Sequence, residues 1–372
     1  MFKGHRGHID SSKAMLLANL VLLAIYKNRQ FTERLVCGKD ELADAQFFPE
    51  YLSVSDKEDF EEDASRHGEH ISLKVHRWLW HTEKPAGLAK CLRTLPFGFI
   101  AENEPRKEIY IAFRGTITSA EWRKNAAFRL HDSYHGSSKL GLVHGGFESI
   151  FSSDFYDRLT EKGSWLTRIS QSSGRYSPPP IEQRHSIKEA IHETVIDNDW
   201  LRRGYRIYAA GHSLGGALAM LSAQLLLSHD IKGYQDALSI CTFGAPRTGN
   251  NGFAEWFNDV EVVRYVNSED IVPTLPPSTG KVFGADMNEV NVDMIRAERQ
   301  KAYRRLDWHF ASTKGEMEFT NSNLSISDER ALDKLKTFQH VGEARCFTLN
   351  KGSISYNHNM NEIYRLGINM AR

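Results

Sequence analysis

The sequence predicts an α/β protein with a mostly parallel central sheet covered by helices on both faces. Two observations carry this. Short β-rich runs alternate with helical stretches along most of the chain, the pattern of crossover units on a parallel sheet. One of those runs, Tyr205 to Ala210, enters Gly211-His212-Ser213-Leu214-Gly215-Gly216 and continues as an Ala/Leu-rich helix. Strand, tight turn and helix around a Gly-x-Ser-x-Gly core form the setting in which a serine hydroxyl is held clear of a sheet.

Composition sets the bounds. The 372 residues suffice for a large core and allow one α/β domain with insertions or two small domains, of which one domain over 1–372 is expected; 47 basic and 47 acidic residues balance. No net field points to a nucleic-acid partner. A mean hydropathy of -0.47 suits a soluble chain. Cys37, Cys91, Cys241 and Cys346 lack metal-ligand spacing and predict buried thiols in a reducing compartment.

The first element is the apolar run Ala14 to Tyr26, with Lys3 and Arg6 upstream. It is shorter than a bilayer span and is interrupted by Asn19, with Asp10-Ser11-Ser12 before it as a helix N-cap. A buried first helix, rather than a signal peptide, is therefore expected, and with it a cytoplasmic location. Asp56 to Asp63 is an acidic, solvated stretch. Phe97 to Glu102, the turn at Asn103-Glu104-Pro105-Arg106, and Glu108 to Phe113 predict two strands, the second ending in Arg114-Gly115-Thr116. Ser170 to Pro180, with three consecutive prolines, predicts a loop before a long helix over about Ile181 to Asp199. Ala237 to Phe243 and Glu261 to Asn267 predict further strands, ending in Gly244-Ala245-Pro246 and Ser268-Glu269-Asp270. From Ser278 to about Phe338 the pattern is polar and aperiodic, as in an insertion before the C-terminal segment.

An isolated Gly-x-Ser-x-Gly is only moderately specific. Here five segments occur in order: Ala112-Phe113-Arg114-Gly115-Thr116, His144-Gly145-Gly146-Phe147, Gly211 to Ala219, Thr242-Phe243-Gly244-Ala245-Pro246-Arg247-Thr248-Gly249-Asn250, and Val266 to Pro276. Together, over about residues 95 to 276, they resemble the class-three lipases, the family of the fungal triacylglycerol lipases within the α/β-hydrolase fold. The resemblance implies a serine hydrolase cleaving carboxylic esters of lipids through an acyl-enzyme. Ser213 would be the nucleophile and Asp270 the acid that orients a histidine. The backbone N–H of Leu214, and Thr116 after Arg-Gly, would form the oxyanion hole.

The histidine is less determined. His309, His340 and His358 all follow Asp270. The family pattern favours His358, in Tyr356-Asn357-His358-Asn359-Met360, and makes His340 a segment marker before a late strand. Ile117 to Leu130 occupies the place of the family's amphipathic lid, with Trp122, Ala126 and Phe128 apolar and Arg123, Lys124 and Arg129 basic, and reads equally as an ordinary surface helix. A lipid ester substrate and transient contact with a lipid interface follow from the resemblance.

His144-Gly145-Gly146 matches another lipase oxyanion motif only superficially and is assigned a supporting role. His67-Gly68-Glu69-His70 lacks zinc-peptidase spacing, Asn323-Leu324-Ser325 matters only in a secreted chain, and no phosphate-binding loop, dinucleotide fingerprint or calcium loop is present. No cofactor or metal is expected. Phospholipase A1 and acyltransferase chemistry would use the same residues. A non-catalytic lipid-binding or signalling module would lack one of them, and a membrane-attacking effector is a further alternative.

Overall fold

The computed structural model describes residues 8–36, 48–55, 70–83, 93–116, 130–135, 138–152, 185–229, 233–276, 281–282, 285–286, 338–352 and 354–371. In chain order these form α1 (Ser11–Val36), β1 (Tyr51–Ser55), β2 (His70–Glu83), β3 (Arg93–Asn103), β4 (Glu108–Phe113), β5 (Leu130–His135), β6 (Ser138–His144) and α2 (Gly145–Ser152). Next come α3 (Ile187–Ile191), β7 (Arg206–His212), α4 (Leu214–Ser228), β8 (Leu238–Phe243), β9 (Glu261–Asn267), the two-residue strands β10 (Lys281–Val282) and β11 (Ala285–Asp286), and β12 (Glu343–Phe347).

Eight strands form one sheet in the order β1-β2-β3-β4-β7-β8-β9-β12. β1 to β4 pair antiparallel, and β4, β7, β8, β9 and β12 pair parallel. β4 and β8 are buried at every position, as central strands covered on both faces must be. Side chains alternate along β7. Tyr208 lies under the Lys13 ammonium of α1, 4.4 Å from the ring centroid, while Gly211, an odd number of residues further on, meets the backbone of α4. The two helices therefore cover opposite faces. A mixed sheet whose parallel half carries a strand–serine–helix turn at a central strand end is the α/β-hydrolase arrangement.

α1 begins where the sequence places its cap, with Asp10 Oδ1 accepting the Lys13 N–H at 2.7 Å. Leu16, Leu17, Leu20 and Val21 are buried, and so is Asn19. Among the described residues no helix is long and apolar enough to cross a membrane. The segment before α1 and the first turn of α1 are tied to distant strands. Ile9 N–H donates to Glu261 at 2.8 Å, Arg345 donates to the Ile9 carbonyl at 2.8 Å, and Lys13 pairs with Glu108 at 2.7 Å.

Two expectations are corrected. No single long helix runs to Asp199: α3 ends at Ile191, a π-helical turn covers His192–Ile196, and Asp199 takes a positive φ of 53°. Asn198 donates to the Glu193 and Thr194 carbonyls and the Trp200 indole donates to Thr194, so side chains take carbonyls a continuing helix would use. Cys346 is exposed, because β12 is the edge strand of the sheet, whereas Cys241 on central β8 is buried; both are free thiols. Cys37, Cys91, the acidic stretch, residues 117–129 of the expected lid and nearly all of 278–338 lie outside the described residues.

The close approach of strand and helix at the central turn tests directly. A Cβ on Gly215 would sit 2.3 Å from the Arg114 carbonyl oxygen and 2.7 Å from that of Phe113. Gly215→Ala is expected to lower unfolding stability by at least about 3 kcal/mol. Gly252→Ala, where the nearest atom is 3.6 Å away, should change it by less than about 1 kcal/mol. Urea denaturation of the pair checks the contrast.

Candidate active site

The site is built at the C-terminal ends of β4, β7 and β9. At the end of β7 the chain must leave the sheet and enter α4 within one residue. Ser213 makes that turn with φ 56° and ψ -129°, a strained conformation for a side chain with a Cβ. The turn is held by Ser213 N–H on the Phe243 carbonyl at 3.0 Å and Gly216 N–H on the Ser213 carbonyl at 2.9 Å. It is possible because Gly211 packs on the Gly215 backbone, where a Cβ would come within 2.1 Å of a carbonyl oxygen. Leu214 is the first residue of α4, and an N–H there has no intrahelical acceptor.

The Arg114-Gly115-Thr116 segment leaves β4 beside this turn. A Cβ on Gly115 would lie 3.1 Å from Ser213 Cβ and 2.8 Å from the His212 ring. Arg114 fixes the segment from below. Its guanidinium is fully buried, donates to the Pro96 and Gly115 carbonyls at 2.7 and 2.8 Å, and stacks 3.9 Å over the Phe97 ring. Gly115 and Leu214 thus flank Ser213 from two elements, and Thr116 follows Gly115.

Asp270 follows β9. Its carboxylate is buried and accepts three hydrogen bonds: from Val272 N–H at 2.9 Å, His358 Nδ1 at 2.6 Å and Tyr364 O–H at 2.5 Å. A carboxylate only accepts, so Nδ1 of His358 carries the proton and Nε2 of the neutral ring is left bare. Nε2 is buried and has no hydrogen-bond partner among the described residues. Ser213 Oγ and His358 Nε2 are accordingly not hydrogen-bonded here. The neighbour Glu269 points elsewhere, accepting from Asn350 at 3.1 Å.

The other histidines separate cleanly. His340 donates from Nε2 to the Pro273 carbonyl at 2.7 Å. Burial, with Arg264 and Arg247 nearby, pushes its pKa down to about 3. His309 lies outside the described residues. His144 is buried, stacks on Phe147 with centroids 4.0 Å apart, and accepts the Gly146 N–H at 3.1 Å, a bracing role. Among the described residues no group of three His, Cys, Asp or Glu side chains is arranged to hold a metal.

Two residues were missed in the sequence. Tyr364 lies six positions after His358, on a π-helical turn (Met360–Tyr364), and its ring is buried against the apolar core. An aromatic there reads as core, and nothing local marks its hydroxyl. His212 sits in the elbow motif itself and holds the His358 backbone by a 2.8 Å hydrogen bond.

With this geometry in place, comparison with known proteins is informative. Residues 110–280 match the family model of Lipase (class 3). This segment is similar to the class 3 lipases. It contains Thr116, Ser213, Leu214 and Asp270 and ends before His358. Phospholipase A1-Igamma2, a chloroplastic protein of Arabidopsis thaliana, is 33% identical over 178 residues, 46% of this chain and 31% of that protein. A lipase of Rhizopus niveus is 29% identical over 184 residues, 49% of this chain and 38% of its own. The structure of the Rhizomucor miehei lipase propeptide complex shares 26% identity across 55% of this chain and 52% of that one, with a TM-score of 0.34. The chain spans 31–49% of the length of the first curated relatives it matches.

Two measurements check this site. Tyr364→Phe removes one donor from a buried carboxylate and should cost about 1.5–3 kcal/mol in urea denaturation. For His340, the folded pKa lies below the unfolded value near 6.5, so between about pH 6.5 and 3 the unfolded chain binds a proton that the folded chain does not. Stability should therefore fall on acidification across that window. His340→Gln, which keeps a donor for Pro273, should lose less stability than wild type between pH 7 and pH 4.5.

Proposed function

We propose that this protein hydrolyses carboxylic esters of lipids through a covalent acyl-serine. The observation that carries the reading is the buried Asp270–His358 pair, with a bare imidazole Nε2 in a loop tied to the residue preceding Ser213. The similarity to the class 3 lipases, and the lipase and phospholipase A1 names of the relatives, support the lipid ester as substrate class.

In this reading Ser213 Oγ attacks the ester carbonyl carbon while His358 Nε2 takes its proton. Asp270 keeps the ring in the Nδ1–H tautomer and stabilises the imidazolium that forms. The carbonyl oxygen becomes an oxyanion, which the backbone N–H of Leu214 and Thr116 receive. The tetrahedral intermediate collapses by breaking the bond to the alcohol oxygen, which takes the proton from His358 Nε2. Water then attacks the acyl-serine with His358 as base again, releasing the fatty acid and restoring Ser213. The positive φ of Ser213 belongs to this chemistry, because it turns the side chain out of the strand line.

Hydrolysis of a p-nitrophenyl ester series, short to long acyl, tests the proposal. Wild type should turn over, and Ser213→Ala should lose roughly 10⁴–10⁶-fold in kcat. Asp270→Asn should lose about 10⁴-fold through the wrong tautomer. A Ser213→Ala variant as active as wild type would end the serine mechanism, and the acyl-chain optimum would separate short-chain esters from lipids.

A further inference from the structure

The His212 ring touches three parts of the site that come from distant stretches of chain. It is the residue before Ser213, so its backbone is part of the strained turn. Its Nε2 lies 2.8 Å from the backbone carbonyl oxygen of His358, 146 residues away. Its Nδ1 faces Gly115, where a Cβ would approach to 2.8 Å. A carbonyl accepts only, so Nε2 of His212 is the protonated nitrogen and donates. The ring is buried and lies 4.5 Å from the His358 ring, tilted by 34°, with Tyr364 edge-on at 5.7 Å. Burial first, and the neighbouring His358 second, hold its pKa well below the usual imidazole range. It is thus neutral at ordinary pH and keeps one fixed donor.

His358 is otherwise anchored through its side chain, by Asp270. It lies just before the cap of a π-helical turn, where Asn359 accepts the Glu362 N–H at 2.9 Å. Its own backbone belongs to a connecting segment, which fluctuates more than strands and helices do. Pivoting about the Asp270 bond would swing Nε2 even with that bond intact. A second attachment at the carbonyl removes this freedom, and it ties the base to the residue adjacent to the nucleophile.

We propose that His212 is a positioning residue. Its Nε2–H clamps the His358 backbone to the serine turn, so that the nucleophile and the imidazole move as one unit. This rests on the reading of Ser213 and His358 as nucleophile and base. A displacement of about 1 Å in such a pair is enough to lower a rate by about 10²-fold.

The test compares His212→Gln with His212→Asn. A glutamine amide nitrogen reaches the place of imidazole Nε2, and an asparagine nitrogen reaches only that of Nδ1. Both variants remove the ring, so loss of packing is common to them. With a p-nitrophenyl ester, His212→Gln should keep kcat within about 3-fold of wild type. His212→Asn should lose about 10- to 100-fold in kcat with KM within 2-fold. A second readout does not need turnover: the downfield proton resonance of the His358 Nδ1–H bonded to Asp270. It should exchange with water faster in His212→Asn and at the wild-type rate in His212→Gln. Equal behaviour of the two variants in this spectrum, or equal kcat values alongside an active wild type, overturns the clamp. An inactive wild type that still shows the difference in exchange would overturn the ester-hydrolase reading and leave the clamp standing.

Discussion

A buried carboxylate at Asp270 is the constraint on which the described segments after β9 depend. Removing such a charge from water costs several kcal/mol unless hydrogen bonds replace the solvent. Three donors do so here, and they come from three places: the loop just past β9, the segment carrying His358, and the π-helical turn carrying Tyr364. Asn267 continues the same logic one step out. Its side-chain amide donates to the Leu349 and Asn357 carbonyls, and its oxygen accepts the Leu349 N–H. The demand for donors thus draws the chain after β12 back against the sheet and delivers His358 to the carboxylate.

The serine turn obeys a different constraint, which is steric. β7 and α4 approach so closely at Gly211 and Gly215 that no Cβ fits on either, and Gly216 packs against the end of β8, where a Cβ would lie 3.3 Å from that of Thr242 and 2.5 Å from that of Ala245 just past the strand. The positive φ of Ser213 is tolerated because these contacts over-determine the path of the chain. Arg114 serves the adjoining rim in a similar way. Its buried charge is spread over two carbonyls and the Phe97 face, which fixes where Gly115 and Thr116 leave β4.

The opposite rim of the sheet is polar without sharing this chemistry. Lys13 is largely buried, bonded to Glu108 and to the Tyr110 hydroxyl, and lies over the Tyr208 ring. Burial lowers its pKa despite the carboxylate. Together with the Ile9 links to Glu261 and Arg345, this pair fastens α1 across the parallel strands. Strand starts therefore carry anchorage, and strand ends carry the candidate site, as expected of open α/β sheets.

The sequence by itself determined the features that depend on near neighbours. The strands at Glu108–Phe113 and Glu261–Asn267 were legible to the residue, because short runs rich in β-branched and aromatic residues end in polar or glycine punctuation. The serine turn was legible because its glycines are a local steric necessity. The cap of α1 at Asp10 was legible because a cap acts within three residues. Tertiary structure decided whatever joins residues far apart. It placed the His358 imidazole on Asp270, 88 residues away in sequence, and that of His340 on the Pro273 carbonyl. It gave the Tyr364 hydroxyl and the His212 ring partners 94 and 146 residues away. It also exposed Cys346 by making β12 an edge. Periodicity and capping act over a few residues, whereas a buried polar group takes its donor from whichever segment the fold brings within reach.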